Sequence, residues 1–176
     1  MKGPPEEDPH MRSERINFLA VVTAVAGLTG FIGVFAKWFS YSYPVEGGGI
    51  TLYLDGTWDA TGAIAVAGGL GALMFGCAYI LLTDPAIRRI VALVMVISSF
   101  VLVISSAIGF TRIDEAIGPS PFLPGAVGTT EFHATVAIGL GISFVSGILA
   151  MMASVLLVAR REAGLEDVET PVTATV

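Results

Sequence analysis

Charge is scarce in this chain. Asp, Glu, Lys and Arg make up only 14% of its 176 residues, against about 25% in soluble domains. Hydrophobic residues make up 54%, and the mean hydropathy is +0.80. A soluble fold of this length needs more polar surface than that to cover a core. Basic residues are scarcer than acidic ones: nine Lys and Arg against fifteen Asp and Glu give a formal net charge of −6. Without a basic patch, no nucleic-acid partner is expected. Cysteine occurs once, as Cys77, so no intramolecular disulfide can form. Asn17 is the only asparagine and precedes Phe18 and Leu19, which excludes an N-glycosylation acceptor. The two histidines, His10 and His133, lie outside the apolar cores, so no haem-binding pair lies at membrane depth.

Long uncharged runs are what the chain has in abundance. Residues 90–110 carry no ionisable side chain and follow directly on Arg88 and Arg89. At 1.5 Å per residue, a helix of that length crosses about 31 Å, roughly one hydrocarbon core. Three further runs repeat the pattern, giving helices over 16–36, 61–82, 90–110 and 132–159. The first run also invites a signal-peptide reading, with Val34-Phe35-Ala36 as a loose cleavage pattern. It exceeds the usual h-region, and four acids (Glu6, Glu7, Asp8, Glu14) precede it, so an uncleaved helix is preferred. The expected architecture is an all-α, four-helix membrane bundle over 16–161. A polar tail, expected to be disordered, occupies 1–15 and an acidic tail 162–176.

The connections differ in character. Thr83-Asp84-Pro85 ends the second helix, and the short link to the third makes the two an antiparallel hairpin. The first long connection, 37–60, alternates at period two in FSYSYPV and ITLYL around Glu46-Gly47-Gly48-Gly49. That reads as a β-hairpin. Trp38, Tyr41, Tyr43, Tyr53 and Trp58 cluster there. They read as an interfacial belt and as the surface that meets a partner, because aromatics dominate binding hot spots. The second long connection, 111–131, is irregular and rich in proline and glycine, with Thr129 or Thr130 as the cap of the fourth helix.

Basic residues near helix ends set topology. Lys2, Arg12, Arg15, Arg88, Arg89, Arg160 and Arg161 fall on one side of a four-helix arrangement, and only Lys37 and Arg112 on the other. Both termini are therefore expected in the cytoplasm and both long loops outside the plasma membrane.

Helices in lipid associate through close packing of small residues rather than by the hydrophobic effect. The first helix offers Thr23, Ala26, Gly30 and Gly33; the second, Ala65, Gly69, Ala72 and Gly76; the fourth, Gly139, Ser143, Gly147, Ala150 and Ser154. These ridges read as internal packing faces, with docking of another subunit as the alternative. The third helix is branched and bulky apart from Ser98, Ser99, Ser105 and Ser106, and most of its surface is assigned to lipid or to a larger partner. Cys77 reads as a small buried packing residue.

Catalytic sets are missing. The four apolar cores hold no charged residue, which argues against proton-coupled carriers, voltage sensors and intramembrane proteases. Asp114, Glu115, Glu131 and His133 are the one candidate metal group, but their spacing selects no metal and a solvated or capping role is preferred. No cofactor is expected.

Four helices, a long first outer loop with a β-hairpin and a tryptophan, and a tight second-to-third link resemble the claudin-like arrangement. The paired loop cysteines of claudins are absent, since Cys77 lies in a helix. The glycine-rich texture with Trp38 after the first helix is similar to small four-helix actinobacterial membrane proteins, the tryptophan-associated transmembrane family. The resemblance spans about 16–161 and implies a non-enzymatic membrane protein, with no functional residues to carry over. The expected function is an accessory or scaffolding subunit of a larger membrane complex, respiratory or envelope-related. Its expected partners are lipid and other membrane subunits or further copies of itself. The alternative is a small oligomeric transporter or pore.

Overall fold

The computed structural model describes residues 9–45, 48–58, 60–112 and 133–169. Four helices form: α1 Pro9–Phe35, α2 Ala60–Leu81, α3 Pro85–Thr111 and α4 Ile138–Glu169. Each contains a stretch long and apolar enough to cross a membrane: Asn17–Phe35, Ala60–Leu81, Pro85–Thr111 and Ile138–Arg160. Three strands, β1 Lys37–Val45, β2 Gly48–Asp55 and β3 His133–Val136, form one antiparallel sheet in the order β2-β1-β3. A 3₁₀ turn, Gly56–Trp58, leads from β2 into α2.

The helices form a square. Each of α1, α2, α3 and α4 packs on two neighbours in cyclic order, and the diagonal pairs barely touch. Neighbours run antiparallel. Going up α1, Ala24 meets Gly76, Gly27 meets Ala72, and Phe31 meets Gly69. At one end of the bundle Ala20, Tyr79, Val91, Met95 and Leu157 pack together. At the other end Val34, Trp38, Phe39, Ala65, Leu102 and Leu140 do so. The start of α1, the α2–α3 link and the end of α4 therefore share one end, and the sheet covers the other.

The helix boundaries follow local chemistry. Asp84 is the N-cap of α3; its Oδ1 accepts from the backbone amides of Ala86 at 2.7 Å and Ile87 at 3.3 Å. Pro85 then supplies the fixed φ favoured in a first turn. Those two residues start α3 at 85 rather than at the expected 90, and Arg88 and Arg89 become helical.

Three other expectations are corrected. Helix α1 begins at Pro9, inside the expected 1–15 tail, because Pro9 suits a first helical position and Met11, Arg12, Glu14 and Arg15 are good helix formers. Helix α4 continues to Glu169, so the expected 162–176 tail is helical over most of its acidic part. Residues 133–136 are a strand, not the first turn of the fourth helix. The expected β-hairpin has gained β3 along the free edge of β1, pairing Phe39 with Val136 and Ser42 with His133. A short apolar run with β-branched Thr135 and Val136 fits either state from periodicity alone. The open edge of β1 decides it. The expected cap of the fourth helix, Thr129 or Thr130, lies outside the described residues.

Candidate functional site

The sheet meets the bundle at Trp38. Helix α1 ends at Phe35, so its last carbonyls have no partner within the helix. The Gly33 carbonyl accepts from the Ala36 amide at 3.2 Å and from Trp38 Nε1 at 3.1 Å. The indole therefore folds back over the end of its own helix. Two glycines make room for it and a third bonds it. A Cβ on Gly56 would lie 2.5 Å from Trp38 Cε2, one on Gly109 3.1 Å from Cζ3, and Gly33 supplies the acceptor. Val34, Phe39 and Leu140 complete the surround. The backbone of Trp38 works outward as well: its carbonyl accepts from Ala137 N at 2.8 Å, where β3 turns into α4. One residue thus joins α1, α3, α4, the 3₁₀ turn and the sheet.

This corrects the reading of Trp38 as an interfacial, partner-facing ring. It is 1% exposed, because an indole N–H at this depth needs an acceptor and the helix end supplies one. Tyr53 is placed differently. It is 52% exposed, and the Lys37 ammonium stands 3.4 Å from its ring centroid, a cation–π pair on the outer surface of the sheet. Tyr41, Tyr43 and Trp58 are placed by their backbone on β1 and the 3₁₀ turn; their side chains lie outside the described ones. So does the side chain of His133, on β3. Asp114, Glu115 and Glu131 lie outside the described residues altogether. Among the described residues no three His, Cys, Asp or Glu groups come together as a metal site.

The six ridge glycines all face neighbouring elements of the same chain. Gly69 and Gly76 meet the α1 backbone at Phe31 and Ala24. Gly30 meets Leu102 and Ser146, Gly33 meets Ser143, Gly139 meets Ala36 and Lys37, and Gly147 meets Val103. The ridges are only half of the packing. A square bundle requires two contact faces on every helix, and the second faces were not read from the sequence. On α1 the second face is Ala20, Ala24 and Gly27; on α2 it is Gly68 and Gly71, set against Ser98 and Leu102 of α3. Their 3-and-4 spacing was the available signal.

One further correction concerns α2, while α3 divides into two faces. Helix α3 turns a continuous face inward, with Ala92, Met95, Ser99, Leu102, Ser105, Ser106 and Gly109 buried; its exposed apolar part is the strip Ile90, Leu93, Ile97, Phe100 and Ile104. Cys77 is exposed rather than buried, since the inward positions of α2 are taken by Gly76 and Tyr79. Chemically the junction is a mount built from packing, main-chain hydrogen bonds and the indole N–H bond to Gly33. No protein-family model matches the chain, and no curated protein matches it.

Proposed function

We propose that this protein is a non-enzymatic, multi-pass subunit of the plasma membrane, with both termini in the cytoplasm, that serves as an accessory or scaffolding element of a larger membrane assembly. The observation that carries this reading is the mount at Trp38. It holds a three-stranded sheet in fixed orientation on the bundle end opposite the termini. A sheet so fixed presents strand edges and the exposed Tyr53 to whatever lies outside the lipid. The sidedness is supported by arginine placement. Arg12, Arg15, Arg88, Arg89, Arg160 and Arg161 share the termini end, whereas Lys37 and Arg112 share the sheet end, and basic residues favour the cytoplasm.

The test is gentle detergent extraction followed by native mass measurement. A particle much heavier than the 18.3 kDa chain, reduced in yield by Tyr53→Asp, is expected. A stable solitary monomer overturns the proposal. The oligomeric-pore alternative draws no support from the ridge glycines, because their faces are already occupied within the chain.

A further inference from the structure

Helix α3 ends its inward face on a charge. Arg88 lies three, four and seven residues before the buried Val91, Ala92 and Met95, so it occupies the last inward position at the termini end. Its guanidinium carbon is 5.1 Å from the ring centroid of Tyr79 on α2, and its Nε is buried without a hydrogen-bond partner among the described residues. The carboxylate nearest in sequence, Asp84, is already engaged by the amides of Ala86 and Ile87. A guanidinium donor taken out of water without an acceptor is costly. The corner around it is mixed in character. Arg89 is exposed beside it, and Leu81, Ile87 and Ile90 are exposed apolar side chains at the same level.

We infer that Arg88 is the anchor of a binding site for the phosphodiester of an anionic glycerophospholipid, such as phosphatidylglycerol, at the α2–α3 corner. The planar guanidinium of arginine matches two phosphate oxygens, and the cation–π contact with Tyr79 holds it in place. Arg89 adds the second positive charge that favours an anionic over a zwitterionic headgroup. Leu81, Ile87 and Ile90 lie where the acyl chains of such a lipid begin, and this distinguishes a lipid from free phosphate. The inference rests on the reading that the four helices cross a bilayer.

The experiment uses the full chain in a mild detergent, with lipid adducts counted by native mass spectrometry and thermal stability read in parallel. Phosphatidylglycerol should bind and raise Tm more than phosphatidylcholine does. Arg88→Gln should weaken its binding about tenfold or more, Arg88→Lys by less, and Arg160→Gln by little. Equal losses at Arg88 and Arg160 would reduce the effect to general rim charge and overturn the site. So would equal adducts with both lipids, or the same stabilisation by inorganic phosphate or glycerophosphoglycerol alone. If Arg88→Gln does not fold, Tyr79→Leu and the comparison of the two lipids on the unaltered chain decide the matter. A protein that stays soluble without detergent would sink the membrane reading itself; one that needs detergent but shows no lipid preference sinks only this site.

Discussion

Trp38 Nε1 donates to the Gly33 carbonyl, five residues back along the chain, at 3.1 Å. The bond lets the chain leave α1, reverse and enter β1 with the largest side chain of the junction pointing inward. Its loss should be felt in two parts. Trp38→Phe keeps most of the ring but removes the donor; the Ala36 amide still serves Gly33, so the cost should be about 1 kcal/mol. Trp38→Ala also leaves a cavity among Val34, Phe39 and Leu140, and about 3–5 kcal/mol is expected. Thermal unfolding in detergent measures both. Equal, near-zero effects would show that the ring does not hold sheet and bundle together.

The glycines make a sharper prediction because they divide into two kinds. A Cβ on Gly27 would lie 2.6 Å from the backbone nitrogen of Leu73, and one on Gly69 2.9 Å from that of Phe31. Neither neighbour can rotate away, so Gly27→Ala and Gly69→Ala should push α1 off α2 and lower Tm by several degrees. Gly141 has nothing within 4 Å of its Cβ position. Gly141→Ala should be neutral or stabilise by up to about 1 kcal/mol, through helix propensity alone. If Gly27→Ala and Gly141→Ala behave alike in Tm measurements, the α1–α2 contact is looser than described.

The four spans, the hairpin and one packing ridge on three of the helices could be read in the chain because each rests on a local signal. Absence of charge over about twenty residues, alternation in FSYSYPV and a 3-and-4 spacing of small residues are all visible in a short window. What could not be read depended on the third dimension. Nothing near Trp38 in sequence shows that Gly56 and Gly109 will make a hole for its ring. His133-Ala134-Thr135-Val136 becomes strand only because β1 presents an edge to it. Helix α3 looks lipid-facing because its serines are outnumbered by branched residues. Yet Ser99, Ser105 and Ser106 are buried, and the Ser99 and Ser105 hydroxyls bond back to the carbonyls of Met95 and Val101. That arrangement hides a hydroxyl without a partner helix.

Ser143 carries a hydroxyl bond between helices, donating to the Gly30 carbonyl at 3.2 Å. Hydrogen bonds between membrane helices average about 0.6 kcal/mol. Ser143→Ala should therefore cost little, well below Gly33→Ala, whose Cβ would lie 2.6 Å from the same hydroxyl oxygen. Denaturant titration of the two variants should separate them. A Ser143→Ala loss above about 2 kcal/mol would mean that polar contacts, and not close approach, hold α1 to α4.

Sidedness is open to a direct measurement because the single cysteine simplifies labelling. With Cys77→Ser as background, a cysteine in place of Tyr53 should react with a membrane-impermeant maleimide in intact cells, since this position is exposed on the sheet. A cysteine at position 160, where α4 leaves its apolar span, should react only after permeabilisation. The opposite pattern would put the six arginines of the termini end on the outer face, against the bias that orients helical membrane proteins. The sheet would then face the cytoplasm, and any partner it meets would have to be sought there.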